Sequence, residues 1–223
     1  MTPIMQRALG DRFADLHPRI REQYAITSES GEAWVGRGVM EEIWRGSRFV
    51  PFLMLGATRR VMFAERGRDV PFEIANYAYL DGVGRETLTW CREFLFPTPR
   101  RFDETLIYSE RRGRAVVYAG THQHLAVELE LGVEDGALVL RTGVQRLYEW
   151  GIGIRIPRLF SGVAEVTERY DDEAGRFAVD VAITNPVWGR IFGYRGWFTL
   201  EKIACSAEEI LADVRPVREE RRE

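Results

Sequence analysis

From residue 70 to residue 201 the chain repeats one pattern: a run with apolar side chains at alternate positions, then a short turn carrying glycine, aspartate or asparagine. Successive side chains of an extended strand point to opposite faces, so each run is a strand with one face for the core and one for water. In 176–184, Phe177, Val179, Val181 and Ile183 oppose Arg176, Asp180 and Thr184. DGVG at 81–84, EDG at 134–136, DDEAG at 171–175 and NPVWG at 185–189 supply the turns. Glycine provides the positive φ that tight hairpins need. The pattern predicts strands at about 70–80, 86–96, 105–108, 114–120, 122–131, 137–148, 160–170, 176–184 and 190–201. An earlier strand begins at Glu32, bent at Gly36 and Gly38. About ten strands at this spacing argue for an antiparallel, calycin-like barrel or strongly curved sheet. Closure removes aggregation-prone edges, and about eight to ten strands leave an interior wide enough for one small ligand.

Helices frame this sheet. Pro3 suits a first helical position and Gly10 a stop, while Asp11 caps a second helix with Phe13, Leu16, Ile20 and Tyr24 along one face. Pro18 breaks or kinks that helix, because proline removes an amide donor and clashes with the preceding turn. Residues 1–25 therefore pack outside the barrel or across one of its ends. Residues 51–63 read as a helix inserted after the first strand, where fatty-acid-binding proteins carry their lid, an analogy of position. Residues 206–223 read as a short capped helix and a charged tail. No composition break divides 1–223, so one domain is expected, with the sheet at 32–201.

A formal charge of -3 and a pI near 5.8 give no electrostatic reason to expect nucleic acid. The longest apolar stretch, FVPFLMLGA, is too short for a membrane span, and the N-terminus lacks the apolar core of a secretory signal. A cytoplasmic protein is expected. Cys91 and Cys205 cannot build a disulfide framework, and Cys91 reads as a buried thiol.

THQHLAVELELG at 121–132 sets His122, His124, Glu128 and Glu130 opposite Leu125, Val127, Leu129 and Leu131. His-x-His on a strand can ligate a metal, but Glu128 lies about 13 Å from His124 along an extended chain. The reading adopted is the wet face of a half-solvated strand, with no metal. GVGRET and GIGIRI lack the third glycine of a dinucleotide fingerprint, and no GxSxG, HExxH or Walker lysine occurs. No cofactor is expected.

In TLTWCREFLF, Arg92 shares a face with Leu88, Trp90, Phe94 and Phe96. An interior arginine requires a carboxylate or a ligand anion, since an unpaired buried charge is very costly. Glu165, on the face of Val163, is the expected partner, as an ion pair or as an acid/base pair with Arg92. Trp90, Arg92, Tyr194 and Trp197 are the expected ligand-binding set, with Glu165 and Arg92 the catalytic candidates.

The stretches LGDRFADLHPRIREQY, WCREF and above all PRLFSGVAEVTERYDDEAGRFAVDVAITNPVWGRIFGYRGWF resemble the bacterial domain of unknown function 4166 family. Members often follow a saccharopine-dehydrogenase-like domain in longer proteins, which implies a separate dehydrogenase-like protein as a partner. The resemblance transfers no catalytic residues and no nicotinamide-linked activity. The function expected is binding of a small hydrophobic or amphipathic molecule inside the barrel. The alternative is a cofactor-independent cyclase or isomerase acting on a hydrophobic biosynthetic intermediate there.

Overall fold

A computed structural model describes every residue except 48, 49, 150, 151, 158–160, 211 and 220–223. The alternating runs form antiparallel strands: β1 (Glu32–Arg45), β2 (Val70–Leu80), β3 (Glu86–Phe94), β4 (Arg100–Ser109), β5 (Arg114–Ala119) and β6 (Leu125–Glu134). They continue as β7 (Ala137–Glu149), β8 (Ile152–Arg155), β9 (Val163–Asp171), β10 (Arg176–Asn185) and β11 (Gly189–Ala204). Each of β1 to β7 pairs with the next in the chain, β7 pairs with β9, and β11 returns to β1. The result is a closed ten-stranded antiparallel barrel, with β8 an extra hairpin strand on β7. The expected strand start at Phe160 and the end of the charged tail fall outside the described residues.

β1 bends as its glycines suggested. It follows β11 along its whole length and slips register at Met40/Glu42. A Cβ on Gly38 would collide with the backbone oxygen of Trp197, so no other residue fits this close crossing.

One end of the barrel is plugged by the N-terminal segment. α1 (Ile4–Leu9), a 3₁₀ turn (Gly10–Asp15) and α2 (Pro18–Gln23) bury Ile4, Met5, Leu9, Phe13, Leu16 and Ile20 in the barrel's core. Pro18 opens α2, where its missing donor has no intrahelical partner to lose, and His17 Nδ1 accepts from the Arg19 amide at 3.2 Å. The His17 amide in turn donates to Gly136 in the β6–β7 turn at 2.9 Å, which ties the plug to the barrel rim.

At the opposite end lies α3 (Val50–Ala57), shorter than the expected 51–63. Residues 58–61 turn instead, with Arg60 at φ 55, so that fully buried Phe63 reaches the edges of Phe94 and Phe192 at 4.8 and 4.9 Å. The expected C-terminal helix is replaced by turns among the described residues. This segment is held by its contacts with the barrel. Its side chains dock on the outside. Ile210 and Val214 cover Tyr79, Arg215 lies 4.6 Å from that ring, and Asp213 meets Arg101 at 2.5 Å. No helix among the described residues is long and apolar enough to cross a membrane.

Candidate functional site

The inward faces leave a cavity of about 500 Å³ between the plug and α3. Its walls are mostly aliphatic and aromatic: Phe72 and Ile74 from β2, Val117 from β5, Val127 and Leu129 from β6, Val181 from β10. They face inward because the period-two pattern commits every second residue of each strand to one side. Phe52, Ile156 and Trp188 line it toward the α3 end, and Gln23 and Tyr24 of the plug form part of its floor.

Between β7 and β9 the ladder of the wall is short. Among the described residues these strands pair over Leu138–Arg141, after which β7 takes β8 as its partner. Side chains close the gap that follows. Thr142 Oγ1 accepts the Ala164 amide at 2.9 Å and Gln145 donates to the Gly162 carbonyl, while from β10, on the other side of β9, Asn185 donates to the Ser161 carbonyl at 2.8 Å.

Near the floor the apolar lining is interrupted. Arg92 donates to Glu104 at 2.8 Å, and its guanidinium carbon lies 5.3 Å from both the Trp90 and Phe102 rings. The Arg92 side chain is 14% accessible, toward the cavity it lines. Burial opposes its charge, but Tyr194 and Glu104 outweigh burial and hold its proton more tightly than usual. Beside it Glu168, 6% exposed, accepts from the Tyr24 hydroxyl at 3.2 Å. Burial pushes this carboxyl up to about 7, against the opposing pull of Tyr24, Arg92 and the nearby Gln23 amide. Burial likewise raises Tyr194 to about 12 and Tyr24 well above its ordinary value, so both are neutral phenols at neutral pH. A carboxyl poised near neutrality in an apolar cavity is able to hold or release a proton.

Of the residues singled out in the sequence, Trp90, Arg92 and Tyr194 lie together on the cavity wall. Glu165 does not join them. Its side chain is 63% exposed on the outer face, paired with Arg141 at 3.3 Å. The inward set of β9 is Ala164, Val166 and Glu168, one residue out of step with the expected one. Trp197 also points outward, under the Arg176 guanidinium at 4.4 Å, because its neighbours Phe198 and Gly196 take the inner side and the β1 crossing.

Sequence reasoning missed Glu104, Glu168, Gln23 and Tyr24. Glu104 carried the same signal as Arg92, since it alternates with Phe102 and Leu106 on one face of β4. Glu168 could have been found by noting that Glu165, Thr167 and Arg169 crowd polarity onto the other face of β9. Nothing in local periodicity places Gln23 and Tyr24, whose position depends on where the plug docks.

The histidine stretch also differs from its reading. His122 and His124 lie in the turn before β6, with Gln123 at φ 52 and Arg59 Nη1 2.6 Å from His124 Nδ1. Glu130 is exposed, as expected of a wet face. Glu128 is covered instead, and bonds Arg112, Arg114 and Arg146 on the outer face of β6. Burial opposes its ionisation, yet these arginines hold it below the usual carboxylate range. Cys91 faces outward beneath the C-terminal segment, where burial pushes its thiol up to about 12.

The profile of the family described as Domain of unknown function (DUF4166) matches residues 16–198, from just before α2 through most of β11, and so spans the cavity floor. The Uncharacterized protein YndH of Bacillus subtilis (strain 168) is 34% identical over 190 residues, 84% of this chain and 92% of that protein. No solved structure matches the chain significantly.

Proposed function

The chain belongs to the DUF4166 family of domains of unknown function, and we propose that it binds a small hydrophobic or amphipathic molecule inside its barrel. The observation that carries this reading is the cavity itself. Its volume of about 500 Å³ is of the size that buries a small organic ligand, with apolar walls and a few polar groups gathered near one end. A solidly packed interior would have offered no such space. In this reading Trp90 and Tyr194 bear on the ligand near the floor, while Phe52 and Trp188 bear on it at the α3 end.

Native mass spectrometry of the protein purified from its own host tests the reading. A co-purifying lipid-like species is expected, lost in Val127→Phe, which fills the cavity with a larger side chain. Retention of the same species by the filled variant, or no species with either protein, counts against it.

A second reading is favoured by one specific observation, a carboxyl, Glu168, buried in the cavity lining beside Tyr24, where burial pushes it up toward neutrality. A cofactor-independent cyclase or isomerase needs little beyond a substrate held in an apolar chamber and one group able to give or take a proton. Glu168, rather than the exposed Glu165, is placed to be that group. Turnover of a hydrophobic intermediate, abolished in Glu168→Gln with binding retained, is its test.

A further inference from the structure

Which molecules fit the cavity depends on the charges already satisfied at its floor. Arg92 has no free charge to offer, because Glu104 engages its guanidinium at 2.8 Å. The other acid, Glu168, stands within the electrostatic reach of Arg92 and holds the Tyr24 hydroxyl. Arg141, also on the lining, is 57% exposed and paired with Glu165 outside. An anionic head group at the floor would lose its hydration, meet an arginine already neutralised, and face two carboxyl groups. A cationic head would be dehydrated beside Arg92. Neither charge is welcome.

What the floor lacks is partners for uncharged hydrogen-bonding atoms. Gln23 Nε2 and Oε1, Trp90 Nε1 and Glu168 Oε1 are buried with no hydrogen bond of good geometry among the described residues, in residues that are 1%, 4% and 6% exposed, and the Gln23 amide lies close enough to Glu168 only to favour its charged form. All three residues line the cavity. A buried polar atom left without a partner costs about 1–3 kcal/mol, so a ligand that supplies one is favoured by a similar amount. Trp90 can only donate, the Gln23 amide both donates and accepts, and Glu168 accepts or, protonated, donates. That set is matched by an oxygen that can take and give a hydrogen bond.

Resting on the reading that the cavity holds a small molecule, we propose that its ligand is amphipathic but uncharged. A hydroxyl oxygen sits among Gln23, Trp90 and Glu168, and an apolar body runs toward Phe52 and Trp188. On this account Arg92 shapes and polarises the floor through Glu104, and does not grip an anion.

Displacement of the neutral dye Nile red by 1-decanol, decanoate and decylamine, all below their micelle concentrations at pH 7, tests the proposal. Decanol is expected to compete at concentrations about tenfold lower than either charged analogue, the effect of roughly one satisfied buried group. Trp90→Phe keeps an aromatic ring and removes the donor, and should narrow the preference for decanol over decanoate about threefold or more. Decanoate or decylamine binding as tightly as decanol overturns the proposal, yet leaves cavity binding standing. If the wild type takes up neither dye nor probe, cavity binding itself fails, and the proposal with it.

Discussion

The two ends of the barrel are closed by different means. At the plugged end six apolar side chains of the N-terminal segment are buried, and polar groups of the plug and wall meet at the cavity floor. At the other end α3 buries Leu53 completely but leaves Phe52, Met54 and Leu55 more than half exposed. α3 carries no charged residue, so nothing in its composition assigns it an outer face. The contrast separates two duties that a barrel combines if it takes up a ligand. Stability collects where apolar surface leaves water and charges find partners, whereas a way in requires an end whose contacts are few.

Five substitutions would break or sharpen this contrast. The largest effects belong to the floor and the plug. Arg92→Ala strands Glu104 inside the barrel and should cost about 3–5 kcal/mol, and Ile20→Ala about 2–5 kcal/mol, both read by denaturant unfolding. Losses below 1 kcal/mol in both would mean that the plugged end does not carry the stability.

Next comes pH. Glu168 has its carboxyl raised from 4.5 to about 7 on folding, so across that window the native state binds the proton more tightly than the unfolded chain. Stability should therefore fall as pH rises from about 4.5 to about 7 and level off above, by something of order 3 kcal/mol. Glu168→Gln should remove that component when its pH profile is subtracted from the wild type's. Identical slopes in the two proteins would show that Glu168 is not held protonated.

A smaller effect is expected at Glu165, the acid that faces the wrong way for a site. Its pair with Arg141 is exposed, so Glu165→Ala should change stability by less than about 1 kcal/mol and leave ligand uptake intact. The smallest belongs to the α3 end. Phe52→Ala should stay within about 0.5 kcal/mol in unfolding experiments. It should nonetheless speed dye release in stopped-flow measurements, since Phe52 lines the cavity from an exposed position. A loss as large as that of Ile20→Ala would erase the difference between the ends.

Much of the barrel was legible because strand alternation is a local signal. Phe177 and Val181 are buried as the pattern in 176–184 requires, and β2 ends at Leu80 as the DGVG turn implies. The short β8 was missed because GIGIR has no alternation of polar and apolar residues, only a place beside β7 that its hairpin creates. The start of β6 was placed too early for a related reason. HQHL alternates like a strand, but the chain turns at Gly120 and Gln123 to carry Thr121 to the backbone of Arg59.

The sequence by itself determined most of the strand content, the antiparallel order and the interior position of Arg92, because each follows from side chains two residues apart on one strand. Only the tertiary structure decided which carboxylate Arg92 meets. Its partner Glu104 sits diagonally across the β3–β4 register, where Trp90 faces Glu104 and Arg92 faces Phe102. Register is a relation between strands, and a slip of one residue sends every side chain to the other face, which is the error that put Glu165 where Glu168 stands. The placement of Gln23 and Tyr24 is more distant still from local pattern. It exists only once ten strands have closed and left an end for the plug to fill.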